Sequence, residues 1–467
     1  MILLAMDTKT NPTTRTTGLL RGLGPLQAMA VVVSTIIGTG IFLVAAPMAR
    51  ATGSASLVLI TWLVGTVVAL SGTLCFAELG AALPEAGGLF VYLNRGVGPV
   101  SGFLFGWTTS VIATPVAMAT IAAGFARFAS YLFPGINTPL LTLPLGQEGF
   151  SLTWAQPFAA LVVLVITAVN CLSVRVGGGF QLVLGSIKVG AIVLIIVAGA
   201  LFSSQPTPVA SPVLTLAPAG SVLGAVLSAL VPVMWAYNGF QNLGFLGGEI
   251  RDPTKNFSRA LIIGVVVVGL LYVFANVTYF HVLPFSAVAT SQHVASDVVQ
   301  TMFGPKGAVW LTVAMCISAL ASLHAVTMAE SRAPYAMARR GLFFQFTGYV
   351  HPRFRSPVGA LLFVGAVSVL VALSGTFEQL YSLYVFSMWG FFALAAVALI
   401  RLRASQPDLV RPYKTWGYPW TPLLFAIAAL ALTANLLLEQ PIRSSLGLLV
   451  ILAGLPFYRA WRNKEDS

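Results

Sequence analysis

Charge is what this sequence lacks most. Asp, Glu, Lys and Arg make up 8% of the 467 residues, where a soluble domain carries about 25%, so a water-soluble globule of this length is excluded. Acidic residues are the scarcer kind, 13 against 25 basic ones. They fall in loops or near the ends of apolar runs, Glu78, Glu249 and Glu330 included. No buried carboxylate is therefore evident to hold a second positive charge on a bound molecule. Cysteine is limited to Cys75, Cys171 and Cys316, all within apolar runs, where they read as small core residues and not as a disulfide framework. The sequence has no His-Glu-x-x-His motif, no buried aspartate pair and no Walker-type loop, which leaves a membrane enzyme without a reactive set. No metal and no cofactor is expected.

Apolar residues fill the space, at 57% of the chain. The few charges leave uninterrupted runs at 22 to 49, 51 to 77, 96 to 126, 149 to 174, 189 to 248, 260 to 296, 307 to 329, 356 to 377, 379 to 400 and 415 to 438. Each is long enough to cross a bilayer, which takes about 20 residues. The run 189 to 248 contains the proline-rich stretch Pro206 to Pro218 and so holds the end of one span and most of another. A last span follows Arg443, whose long side chain reaches the interface.

The chain thus reads as an all-α integral membrane protein of twelve helices: 25 to 50, 55 to 83, 97 to 133, 154 to 173, 180 to 203, 221 to 248, 257 to 283, 307 to 338, 356 to 375, 379 to 402, 418 to 438 and 443 to 461. Residues 1 to 21 form a tail. Its apolar patch, Ile2 to Met6, is too short for a signal-peptide core, so helix 1 itself is expected to direct insertion.

The formal charge of +12 does not point to nucleic acid, because the basic residues are spread among the connecting segments. With a cytosolic N-terminus, Arg95, Arg175, Arg251, Arg332, Arg339, Arg401, Arg411 and most others fall inside, and Arg50, Lys306 and Arg443 outside. The positive-inside rule then puts both termini in the cytosol of a multi-pass protein of the plasma membrane, here a bacterial inner membrane.

Two helices carry interruptions. Helix 1 reads Ser34-Thr35-Ile36-Ile37-Gly38-Thr39-Gly40-Ile41-Phe42, and helix 6 reads Trp235-Ala236-Tyr237-Asn238-Gly239-Phe240-Gln241-Asn242. Each opens a group of five helices, at 22 to 203 and 221 to 402, with helices 11 and 12 at 415 to 461 outside both. An odd-numbered unit enters the membrane from the opposite side on its second appearance, so a shared fold makes an inverted repeat, and paired breaks mark a transporter's binding site. Gly98, Gly102 and Gly106 of helix 3, spaced by four, read instead as a surface for close helix packing.

A helix unwound within a bilayer exposes peptide groups that only protein, trapped water or a ligand can satisfy. Free amides at Thr39 and Gly40 favour a carboxylate, and carbonyls at Ile36, Ile37, Trp235 and Ala236 favour an ammonium group. A zwitterionic amino acid matches both, and a neutral side chain matches the lack of a buried carboxylate. Lys188 lies about 12 Å into helix 5 at 1.5 Å per residue. It is either a snorkelling side chain or a tethered cation that contacts the broken helix and changes protonation during transport. His324 in helix 8 reads as a packing residue and a secondary titratable candidate.

At these residues the chain resembles the amino acid-polyamine-organocation superfamily. The resemblance rests on Ile37-Gly38-Thr39-Gly40-Ile41-Phe42; Phe76-Ala77-Glu78-Leu79-Gly80 with Leu83-Pro84-Glu85-Ala86-Gly87-Gly88; Gly248-Glu249-Ile250-Arg251-Asp252-Pro253; and Arg332-Ala333-Pro334-Tyr335-Ala336-Met337-Ala338-Arg339. Trp235-Ala236-Tyr237-Asn238-Gly239-Phe240-Gln241 and Pro115-Val116-Ala117 make it most similar to the L-type amino acid transporters and their bacterial relatives.

The resemblance implies that the Thr39 and Gly40 amides hold a substrate carboxylate and the Ile36, Trp235 and Ala236 carbonyls its amine, with Trp235 as an aromatic gate. It further implies that Lys188 stands where related transporters hold a sodium ion, with Ser318 as its partner. Asn238, Phe240, Gln241 and His324 depart from residues common in relatives, which bears on side-chain specificity. Animal relatives join a partner through a cysteine between helices 3 and 4, and residues 134 to 153 contain none, so no disulfide-linked partner is expected. The sequence therefore predicts a secondary transporter of neutral amino acids working by alternating access, as proton symporter or amino acid exchanger. A carrier of cationic amino acids or polyamines is the alternative within the superfamily, and a channel or sensor the alternative outside it.

Overall fold

The computed structural model describes residues 24–84, 87–143, 150–172, 178–202 and 221–462. The tail 1 to 21, the Pro206 to Pro218 stretch, Glu85, Ala86 and Arg175 lie outside the described residues. Eleven described helices are long and apolar enough to cross a membrane, and the apolar helix Val358–Ser374 is shorter. These elements overlap the expected segments, except that the one expected at 307 to 338 starts earlier, at Val294, and ends at Glu330, with Arg332–Arg339 a separate short helix; the chain is an all-α membrane protein.

In order, helix 1 comprises Pro25–Ile36, Gly40–Leu43 and Ala45–Thr52; helix 2 is Ala55–Ala82; helix 3 runs from Pro99 to Leu132; helix 4 is Ala155–Leu172; and helix 5 is Gly178–Phe202. Helix 6 comprises Val222–Ala236 and a 3₁₀ segment Phe240–Glu249, and helix 7 is Pro253–Val282. Helix 8 lies within Val294–Glu330, helix 9 is Val358–Ser374, helix 10 is Phe377–Ser405, helix 11 is Trp420–Glu439 and helix 12 is Pro441–Arg462. Polar caps fix several starts. The Ser221 hydroxyl accepts from the Gly224 amide at 3.0 Å, and Thr376 and Gln379 form a reciprocal capping box at the head of helix 10.

Among the described residues, elements outside the expected set include helices Leu89–Gly96 and Phe285–Thr290, and an antiparallel hairpin pairing Pro139–Leu143 with Phe150–Thr153. The glycine row of helix 3 divides in its roles. A Cβ on Gly102 would meet Asn94 at 3.0 Å and one on Gly106 the Met337 sulfur at 2.6 Å, so both are packing positions. A Cβ on Gly98 would meet nothing within 4 Å, and its φ is +142°. It turns the chain into helix 3, a backbone role and not the packing role expected of it.

Helix 3 widens into a π turn over Thr109–Ala113, just before Pro115. A proline within a helix donates no N–H and its ring crowds the carbonyl four residues back. The wider turn relieves that crowding, a recurrent feature near functional sites. In the bundle, helix 2 packs on helix 7, helix 3 on helix 8 and helix 4 on helix 9, while helix 1 lies between helices 5 and 7. This arrangement carries both interrupted helices into the interior.

Candidate functional site

Both interruptions are present. Helix 1 is unwound over residues 37–39, beginning at Ile37, whose backbone is extended at φ −70°, ψ 97°. Helix 6 gives way after Ala236, turns through Tyr237 and Asn238, and passes Gly239 at φ +117°. That left-handed conformation favours glycine.

The two breaks touch. A Cβ on Gly40 would meet Ala236 Cα and Cβ at 2.9 Å, and one on Gly239 would meet the Thr35 carbonyl oxygen at 2.6 Å. Each break therefore needs a glycine where the other helix crosses it. Ile36, Ile37, Thr39, Gly40, Trp235 and Ala236 are all buried, and Asn238 is half-buried.

The freed carbonyls converge on a residue absent from the expected set. The Tyr272 hydroxyl, in helix 7, lies 3.2 Å from Ile36 O and 3.1 Å from Ala236 O. It carries one hydrogen for two acceptors, so lone pairs remain for a positive donor. Trp62 packs edge-on to Tyr272 and Tyr237, at ring separations of 5.3 and 6.2 Å, and Tyr237 hydrogen-bonds Thr66 at 2.7 Å. These rings brace the breaks from behind. Nothing in the local sequence marks Tyr272, which reads as one more aromatic in an apolar run.

On the carboxylate side, Thr39 packs against Gly124 of helix 3, where a Cβ would approach its Cγ2 to 2.9 Å. Its Oγ1 is buried and has no hydrogen-bond partner among the described residues. Asn238 is fastened from two sides: its Oδ1 accepts from Gln241 Nε2 and from the Tyr384 hydroxyl, both at 2.8 Å. Trp235 meets the Tyr384 ring edge-on at 5.2 Å. Asn238 and Gln241, two of the departures from common family residues, thus order the turn of helix 6. The carbonyl of Trp235 accepts from the Asn238 amide at 3.0 Å.

Lys188 is 3% exposed and does not snorkel. Its Nζ donates to Ser34 O, at the end of the first half of helix 1, at 3.4 Å and to Ser322 Oγ at 2.5 Å. Contact with the broken helix is as expected. The hydroxyl partner is not: Ser318 is buried nearby, but the ammonium is held one turn further along helix 8, at Ser322. His324 is also buried, and its Nε2 has no partner among the described residues.

Carboxylates near the helix ends are buried after all, contrary to expectation. Glu78 accepts from Arg403 Nε at 2.8 Å and Nη2 at 2.6 Å, and from the Thr415 amide at 2.5 Å, with Arg411 Nε at 3.5 Å. Glu330 is also buried and accepts from Thr114 Oγ1 at 2.9 Å. At the hairpin end of the bundle, Arg127 pairs with Glu378 and donates from Nε to Gln292 O at 3.0 Å. Arg50 donates to Ala289 O at 2.9 Å. His293 joins this network through Nε2, 2.8 Å from Arg127 O and 3.0 Å from Ser130 Oγ. Burial holds its imidazole below the usual range.

The profile of a family described as amino acid permease matches residues 23–455. Mouse b(0,+)-type amino acid transporter 1 is 29% identical over 447 residues, covering 95% of this chain and 88% of the relative. The serine/threonine exchanger SteT of Bacillus subtilis (strain 168) is 28% identical over 457 residues, 97% of this chain and all of the relative. Rat large neutral amino acids transporter small subunit 2 is 30% identical over 456 residues, 94% and 80% of the two chains. These matches run the length of the bundle and include both breaks, and the chain belongs to the amino acid permease family, as an amino acid transporter of the amino acid-polyamine-organocation superfamily and not an enzyme.

Proposed function

We propose that this transporter carries small neutral amino acids across a bacterial inner membrane by alternating access, gripping the zwitterion between its two broken helices. The observation that carries this reading is the convergence of Ile36 O and Ala236 O on one hydroxyl. Two carbonyls sharing a single hydrogen form an acceptor pair for an ammonium group. The Thr39 and Gly40 amides, beside the unpartnered Thr39 hydroxyl, would take the carboxylate. Trp235, edge-on to Tyr384, would cover the side chain as the gate. A neutral side chain is favoured by the relatives named as a serine/threonine exchanger and as a large neutral amino acids transporter.

A five-plus-five inverted repeat fits the pairing of helix 2 with 7, 3 with 8 and 4 with 9, since equivalents related by an axis in the membrane plane meet at that axis. Cytosolic termini follow from the positive-inside rule. A disulfide-linked partner is not expected, because residues 134 to 153 hold no cysteine.

Coupling is by exchange or by proton symport. The bacterial relative is named an exchanger, which favours the first; a buried Lys188 in contact with the broken helix favours the second. Uptake into proteoliposomes decides the matter. An exchanger requires internal amino acid and ignores an imposed proton gradient, whereas a symporter responds to the gradient with empty vesicles. Absence of uptake for all twenty amino acids would end the reading.

A further inference from the structure

Glu330 is the acidic group that the proposed mechanism leaves unused. It is 8% exposed, at the end of the Val294–Glu330 helix. Thr114, fully buried and directly after the π turn of helix 3, donates to its Oε2 at 2.9 Å. Glu78 holds two arginines, but no described residue forms an ion pair with Glu330.

Few charged or titratable groups face it. Residues 99–113 of helix 3 and all of helix 9 contain none, and helix 3 beyond Thr114 carries only Arg127 and Tyr131, near its far end. Arg332, Arg339 and Arg340 are exposed, and Tyr335 is half-buried. Lys188 is engaged at Ser322, about 12 Å back along helix 8, and His324 is about 9 Å back. Helix 10, which packs on the π turn of helix 3, contributes Tyr384. The Tyr384 hydroxyl bonds Asn238 Oδ1 at 2.8 Å, and its ring lies edge-on to Trp235.

The geometry points to Glu330 as a proton-binding site whose occupancy is read by Thr114 at the π turn of helix 3. An uncompensated buried charge costs several kcal/mol, and a proton from the adjoining aqueous face removes it without a partner. The carboxylate only accepts hydrogen bonds, and the neutral acid also donates one. Protonation therefore changes the Thr114 contact, and with it the π turn of helix 3, which packs on helix 10. The inference rests on the proposed transport function. It applies equally to an exchanger, where the proton sets the rate, and to a symporter, where it is carried.

The test is counterflow in proteoliposomes at equal pH on both sides, from about pH 5 to about pH 8. The substrate is whichever labelled amino acid of the twenty the wild type moves fastest. The wild-type rate is expected to follow a single-proton titration. Glu330→Gln, which mimics the neutral acid, should be flat and close to the wild-type acid limit, and His324→Asn should keep the wild-type profile. A merely structural role would lower the rate at every pH and leave the shape intact. A flat wild-type profile, or an unchanged profile in Glu330→Gln, overturns the proposal. Thr114→Val gives an independent reading should Glu330→Gln not fold: removing the donor to the carboxylate should move the midpoint to higher pH, and an unmoved midpoint overturns the proposal as well. Absence of any counterflow in the wild type is a different result, which would instead sink the transport reading.

Discussion

The Tyr272 hydroxyl lies 3.2 Å from the Ile36 carbonyl oxygen and 3.1 Å from that of Ala236, so one side chain joins the loose ends of both broken helices. A buried carbonyl stripped of its donor costs about 1–3 kcal/mol. Tyr272→Phe keeps the ring and its packing on Trp62 but leaves both carbonyls short. The variant is expected to unfold at lower temperature and to exchange amino acid about tenfold more slowly. Thermal unfolding in detergent and counterflow measure the two effects.

Gly40 faces Ala236 across the break, with room for hydrogen only. Forcing methyl groups into a packed interior costs about 1–3 kcal/mol, and here it pushes the two breaks apart. Gly40→Val should abolish amino acid binding while the protein still elutes as a folded species in size exclusion. Unchanged affinity in a scintillation-proximity assay would remove the site.

Lys188 bridges helix 1 to Ser322. Hydrogen bonds to charged groups contribute about 1.5–3 kcal/mol, so Lys188→Ala is expected to slow transport by roughly ten- to hundredfold. Ser322→Ala, losing one acceptor, should slow it several-fold, and Ser318→Ala should stay near the wild type. Initial rates for the three variants give the order, and wild-type rates in Lys188→Ala would contradict the coupling role.

His293 lies in the segment between helices 7 and 8, and burial depresses its proton affinity in the folded state. The unfolded chain then binds the proton more readily, so stability is complete above the unfolded value of about 6.5 and is lost as pH falls through the folded one. Melting temperature measured against pH should drop on the acid side, and by less in His293→Gln. Parallel curves for the two proteins would assign the acid loss elsewhere.

Much of this was legible in the chain. Scarce charge and long apolar runs require a bilayer, and glycine with polar residues in the middle of two runs mark where backbone leaves the helix. Lys188 was conspicuous because an amine in an apolar stretch must find an acceptor. The identity of that acceptor was not readable. Ser318 and Ser322 share a face of helix 8 about one turn apart, a rise of about 6 Å, and only the relative height of helices 5 and 8 chooses between them.

What the sequence alone determined is the membrane-spanning segments and the places where two of them come undone, because hydropathy and backbone freedom are local properties of the chain. The tertiary structure decided the rest. Tyr272 serves Ile36 across 236 residues of chain, and Glu330 lies beside Thr114 across 216. Such contacts depend on how helices cross and rotate against one another, and a residue near the end of an apolar run is buried or exposed according to what packs over it.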